Sequence, residues 1–157
     1  MDENVKRQRA QKVYETLCNA IENRNWNYKR EDNLLLVHFG VSGEDIPMNF
    51  IIVVDADRQI VRLMSRLPFK ISEEKRLEGA IMTCAATNWL ADGSFDYDVT
   101  KGEITFRLTE SFRESELGDG VFQYMISCAC STIDAFNDKF LAVDKGFLSL
   151  QDFLDRQ

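Results

Sequence analysis

The chain is short of the residue types that common catalytic and metal-binding sites need. Its 157 residues include one histidine and four cysteines, which are Cys18, Cys84, Cys128 and Cys130. The two thiols of a Cys-x-Cys pair on a helix point about 200° apart, so they cannot share one metal ion without unwinding the helix. The cysteines are therefore predicted to be small buried thiols, and no metal site or other cofactor is predicted.

Long apolar runs and an excess of basic charge are also missing. No hydrophobic stretch approaches the ~20 residues of a membrane-spanning helix. The charged start, residues 1–9, lacks the apolar core of a secretory signal. The net charge of −7 argues against nucleic acid, because a phosphate-binding surface needs a basic stripe. These observations predict a cytoplasmic protein that binds neither nucleic acid nor membrane.

Motifs that mark familiar enzymes are absent as well. The sequence has no glycine-rich phosphate loop, nucleophile elbow, Ser-x-x-Lys motif or zinc quartet. The single histidine, His38, has only Ser42 as a nearby hydroxyl, and a packed, hydrogen-bonded histidine is favoured over a catalytic base. Asp55 and Asp57 supply two carboxylates where Ca²⁺ takes about six to eight oxygens, so a hairpin turn is favoured there. No catalytic residue is predicted.

The sequence does contain clear helical and strand periodicities. Apolar residues at helical spacing predict helices over residues 4–23, from Ser72 to about residue 90, and from about residue 121 to Gly146. Strands are predicted at residues 26–29, 34–39, 46–54 and 60–67, followed by a hairpin of residues 95–99 and 104–108. Arg30–Asn33 is predicted to be a turn, and Pro68 is predicted to end the fourth strand because proline cannot donate to the ladder.

This order, α-β-β-β-β-α-β-β-α-α, predicts one α+β domain over residues 1–157. Its antiparallel sheet is expected to have about five or six strands, with helices packed on one face. The polar loop Ser111–Gly120 is long for such a domain and is expected to be its most mobile segment.

Surplus apolar surface predicts a contact with another protein. The second and third strands are apolar on both sides, and one layer of helices covers only one side of a sheet. On the second helix, the predicted core face is made of Leu77, Ile81, Cys84 and Ala85. Met82 and Trp89 fall beside that stripe. The candidate partner or dimer surface is therefore Leu34, Leu36, Met82 and Trp89.

A short amphipathic helix is predicted from about residue 149 to the end of the chain. Leu150, Phe153 and Leu154 follow a serine cap at i, i+3, i+4 spacing, and a helix this short does not persist alone in water. Its apolar face must dock. Docking on the chain's own sheet or helices is the simpler alternative, and docking across a dimer or in a client groove is the functional one.

Several structural motifs resemble those of the YbjN family, which has a type III secretion chaperone-like fold. The matching pieces are Val53-Val54-Asp55, Leu67-Pro68 followed by Glu73-Glu74-Lys75-Arg76, Asn88 ahead of Gly93-Ser94-Phe95, and the strand Gly102–Arg107. The resemblance covers about residues 5–145. Bacterial members of the family are described as candidate sensory transduction regulators. The resemblance implies a dimerising, protein-binding or regulatory module, and it carries no catalytic residues to this chain.

Three functions are compatible with these patterns. The favoured one is a non-catalytic chaperone-like or regulatory protein-binding module that self-associates as a homodimer. The second is a small-ligand sensor, for which His38, Asn49 and Arg62 are the polar strand residues available. The third is an enzyme that uses His38.

Overall fold

Six antiparallel strands form one sheet in a computed structural model that describes residues 1–155. Within that range the helices are α1 (Glu3–Glu22), α2 (Arg76–Trp89), α3 (Asp119–Lys145) and α4 (Leu150–Asp155). The strands are β1 (Lys29–Glu31), β2 (Leu36–Ser42), β3 (Pro47–Asp55), β4 (Ile60–Lys70), β5 (Ser94–Asp98) and β6 (Glu103–Ser111). They lie side by side in the order β1-β2-β3-β4-β6-β5. The predicted α+β class and element order are confirmed.

The core lies between the helices and one face of the sheet. Alternate side chains of β3 are buried on that side, among them Phe50 and Ile52, and Leu63 and Phe106 continue the layer on β4 and β6. Tyr14 and Leu17 of α1 and the buried stripe of α3 close this core from above. The period-two burial of the strands therefore sends the remaining side chains to the opposite face.

Two strand boundaries differ from the prediction near the start of the sheet. The first strand is β1 (Lys29–Glu31), so the predicted turn Arg30–Asn33 begins as strand. A 3₁₀ turn over Asp32–Leu34 follows, and Leu35 adopts a left-handed conformation with φ of 51°. Because this conformation interrupts the extended backbone, β2 begins at Leu36 and Leu34 lies outside the strand.

The prediction that Pro68 ends the fourth strand is wrong. β4 continues through Pro68 to Lys70, and its register with β6 shifts between Arg66 and Lys70. An irregularity of this kind leaves a residue out of the ladder, so the missing N–H of proline costs no paired hydrogen bond there.

The predicted core face of α2 is also wrong. Leu77 and Ile81 are 76% and 48% exposed, and Cys84 is exposed rather than buried. The helix packs through Gly79, where an added Cβ would lie 2.4 Å from the hydroxyl oxygen of Tyr97. That hydroxyl donates to the carbonyl of Arg76 at 2.8 Å. The close approach of β5 decides the orientation of α2, and the most hydrophobic side chains are left outside.

Candidate functional site

The face of the sheet opposite the helices has no covering element among residues 1–155, and we call it the open face. Its centre is an apolar stripe across three strands, made of Leu36 on β2, Ile51 and Val53 on β3, and Met64 on β4. Ile51 is 43% exposed, and the other three are partly exposed. A stripe of this kind on a sheet marks a surface that another polypeptide can cover.

The four predicted partner-surface residues do not form one surface. Leu34 is exposed on the 3₁₀ turn, and Leu36 belongs to the open face. Met82 is fully buried on the sheet side of α2, so its prediction as a surface residue is wrong. Trp89 faces the helical layer, where it stacks on Phe136 and Phe153 with ring centroids 6.4 and 5.5 Å apart.

The charges of the open face are balanced, whereas the whole chain carries −7. The strand register places five basic and five acidic side chains on this face: Lys29, Arg62, Arg66, Lys70 and Arg107, with Glu31, Asp55, Asp96, Asp98 and Glu103. Several of them pair across strands, as Arg107 does with Asp96 at 2.7 Å and Lys70 with Glu103 at 3.2 Å. The excess negative charge therefore lies on the other surfaces of the protein.

Arg62 differs from the other arginines of the open face. Arg66 and Arg107 each have a carboxylate on a neighbouring strand, but Arg62 has no carboxylate within 4.0 Å among residues 1–155. Its Nε atom is buried and has no hydrogen-bond acceptor in that part of the chain. Asp55 is already engaged, because it accepts from the backbone N–H and the guanidinium of Arg58. A buried donor without an acceptor destabilises the monomer and favours a contact that supplies one.

A shallow groove of about 690 Å³ lies at the β1 end of the open face, lined by Tyr28, Glu31, His38, Asn49 and Ile51 among others. His38 is partly exposed here, with its Nε2 3.6 Å from Glu31 Oε1, so the expectation of a packed histidine is wrong. Ser42 lies four residues further along β2, about 13 Å away at the strand rise per residue. No serine or threonine of residues 1–155 lines the groove, so it brings His38 no aliphatic hydroxyl as a nucleophile. Arg62 does not line it, so the three nominated ligand-binding residues are not brought together.

Residues 1–155 contain no group of three or more His, Cys, Asp or Glu side chains arranged to hold an ion. In the same range, no helix combines the length and apolar character needed to cross a bilayer.

The C-terminal helix α4 packs on its own chain. Phe153 is buried between α2 and α3, with its ring centroid 5.5 Å from that of Trp89 and 5.9 Å from that of Phe140. Leu150 and Leu154 are partly buried against the same core. The structure thus places the three predicted tail-docking residues on the helical side, away from the open face.

Sequence reasoning missed a buried carboxylate that joins α3 to the start of α2. Asp144 Oδ1 accepts hydrogen bonds from the backbone N–H and the hydroxyl of Ser72, both at 2.7 Å. Burial raises the pKa of Asp144, but these two hydrogen bonds and nearby Lys145 outweigh it and leave the pKa lowered. Ser72, where the second helix was predicted to begin, makes no side-chain capping bond of its own. An acid in the last turn of a helix opposes the helix dipole, which was the available signal.

A comparison with solved structures identifies the fold. The chain is similar to YbjN from E. coli, whose crystal structure is described as that of a putative transcription regulator. The TM-score is 0.58 at 11% sequence identity, over 80% of this chain and 92% of that one. At this identity the likeness shows the fold, and the YbjN-like fold expected from the sequence motifs is confirmed. No protein-family model matches the sequence, and no curated protein matches it.

Proposed function

We propose that the protein is a non-catalytic protein-binding module that acts through the open face, and that a second copy of the chain occupies this face. The observation that carries the proposal is the uncovered apolar stripe of Leu36, Ile51, Val53 and Met64 at the centre of the sheet. All the helices of residues 1–155 are used on the other face, and the C-terminal helix packs there as well.

The size of the open face fits a stable dimer. Six strands at the usual spacing span about 24 Å, and the four longer strands of 7–11 residues run for about 23–36 Å. The face therefore offers roughly 600–800 Å², close to the ~800 Å² that each partner buries in a standard stable interface.

The charge distribution favours a second copy as the occupant. Two chains of net charge −7 repel each other through most of their surfaces. The open face carries equal numbers of basic and acidic side chains, so two copies can meet there without net repulsion. Face-to-face packing of two antiparallel sheets at about −30° is a common arrangement.

Sedimentation equilibrium or size exclusion with light scattering is expected to show a dimer at micromolar concentrations. Replacing Ile51→Lys places a charge in the stripe and is expected to weaken the dimer at least tenfold, since burying an unpaired ammonium is costly. Ile81→Lys is the matched control, because Ile81 on α2 is similarly exposed but lies on the other side of the protein. A wild-type monomer throughout this range, or equal effects of both variants, contradicts self-association through this face.

A small-ligand sensor is the second candidate, because the groove beside His38 and Asn49 has the volume of a ligand site. If the protein is a binding module for its own chain, a thermal-shift screen with metabolites is expected to find no stabilising compound. A compound that raises the melting temperature of the wild type, but not of the variant Asn49→Leu, favours the sensor. The control variant is Asn88→Leu, at an exposed position on α2.

A further inference from the structure

One row of side chains across the open face has opposite charges at its two ends. The strand register aligns Glu31 on β1 with Leu36 on β2, Leu36 with Val53 on β3, and Val53 with Arg62 on β4. The row therefore reads carboxylate, aliphatic, aliphatic, guanidinium. Its ends are three strands apart, about 14 Å at the usual strand spacing, and its midpoint lies between Leu36 and Val53.

The charged side chains at both ends of this row have few oppositely charged or hydrogen-bonding partners within residues 1–155. Arg62 has a buried Nε without an acceptor and no carboxylate within 4.0 Å in residues 1–155. Its charge helps to lower the pKa of Asp55, but that carboxylate is already bound by Arg58. Glu31 lies 3.6 Å from His38 Nε2, which is its only ion-pair contact in the same range, and its side chain is 47% exposed. The other two arginines of the face already have carboxylate neighbours on adjacent strands.

We propose that two copies pair face to face about a two-fold axis that runs along the strands between β2 and β3. This rotation keeps each row at its position along the strands and reverses the order of its residues. It superimposes β1–β4 of the two copies and leaves β6 and β5 outside the contact, so the pairing covers only the β1–β4 part of the open face. Glu31 of one copy then meets Arg62 of the other, Leu36 meets Val53, and the same contacts recur with the roles exchanged. An isologous interface requires this reciprocity, and a row of this composition provides it.

The neighbouring row is compatible with the same axis. It aligns Lys29, His38, Ile51 and Met64 across the same four strands. The rotation places His38 over Ile51 of the second copy and the aliphatic part of Lys29 over Met64, so no like charges meet. An axis along the mean strand direction keeps the strands of the two sheets nearly parallel, which lies within the aligned class of sheet packing. The partly exposed guanidinium of Arg62 gains a carboxylate that can accept hydrogen bonds from it.

Exchanging the charges tests the pairing, which rests on the proposed function. Glu31→Arg and Arg62→Glu, each alone, are expected to weaken the homodimer at least tenfold, because each puts two like-charge pairs into the interface. Mixing the two variants is expected to give a heterodimer of near wild-type affinity, since both of its charge pairs are then opposite in sign. The double exchange in one chain is expected to restore the homodimer. Analytical ultracentrifugation measures the affinity in all four samples, which are each single variant, their mixture and the double variant. In the mixture one variant carries a fluorescent label, so the heterodimer is detected separately.

The controls carry the same changes of charge elsewhere. Asp138→Arg on α3 and Arg7→Glu on α1 are both exposed on the helical side and are expected to leave the homodimer unchanged. Arg62→Met removes the charge and keeps an unbranched side chain, so it replaces Arg62→Glu if that variant fails to fold. It is expected to weaken the dimer and to reduce the dependence of dimer affinity on salt concentration. If the wild type is a dimer and none of the Glu31 and Arg62 variants changes its affinity, the pairing is overturned but the proposed function is not. A wild-type monomer overturns both.

Discussion

Removing the chain after Lys145 is expected to lower the free energy of unfolding by about 3–5 kcal/mol while the sheet and helices α1–α3 remain folded. The truncation removes Phe153, whose ring is buried between Trp89 of α2 and Phe140 of α3. The stabilisation from burying this ring is partly offset by the conformational entropy lost when the short helix is ordered. The expected decrease in the free energy of unfolding is therefore smaller than the buried apolar area alone suggests. Chemical denaturation measures the loss, and circular dichroism checks that the fold is retained.

Two phenylalanine variants test whether the loss of stability comes from the burial of Phe153 or from the loss of any apolar residue of the tail. Phe153→Ala is expected to reproduce most of the loss, because it leaves a cavity between two helices. Phe147→Ala is the control, since Phe147 lies in the same tail but is 86% exposed. If truncation leaves stability unchanged and increases binding of another protein, the tail covers a binding surface instead of completing the core. If neither quantity changes, α4 does not contribute to the fold.

The substitution Asp144→Ala is expected to lower the free energy of unfolding by about 2–4 kcal/mol, because the partly buried N–H and hydroxyl of Ser72 then lose their acceptor. Both bonds go to the same carboxylate oxygen, at 2.7 Å. Asp144→Asn keeps an oxygen at this position and removes only the charge, so a smaller loss of about 1 kcal/mol is expected. The exposed Asp138→Asn on the same helix is expected to change stability little.

The same carboxylate predicts the direction of a pH dependence. Its pKa in the folded protein is lowered, although burial alone raises it, because hydrogen bonds from Ser72 favour the ionised form. A group with a lowered folded pKa contributes its full stabilisation above its unfolded pKa of about 3.9 and loses it as the pH falls through the folded value. The stability difference between wild type and Asp144→Asn is therefore expected to shrink below about pH 4. A difference that stays constant from pH 7 to pH 3 contradicts this role for the charge.

The secondary-structure elements that follow from the local pattern of apolar residues were predicted well. The alternation of Phe95, Tyr97, Ile104 and Phe106 marks a hairpin because successive strand residues point to opposite faces. Gly146 marks the end of α3 because its φ of 79° suits glycine. These signals depend on a residue and its immediate neighbours, and they led to the correct element order.

The errors arose where packing partners distant in sequence decide the outcome. The most hydrophobic stripe of α2, with Leu77 and Ile81, faces outward because the small face around Gly79 admits Tyr97 of β5. Met82 is consequently buried instead of exposed. Pro68 stays inside β4 because a register shift with β6 removes the need for its N–H.

The sequence alone determined the elements, their order and the presence of apolar residues on both sides of β2 and β3, since these follow from local periodicity. The tertiary structure decided which of those residues remain uncovered. The row of Glu31, Leu36, Val53 and Arg62 spans 32 positions of the chain and exists only through the register of four strands. Hydrogen bonding between strands sets that register, and the pattern within a single strand does not contain it.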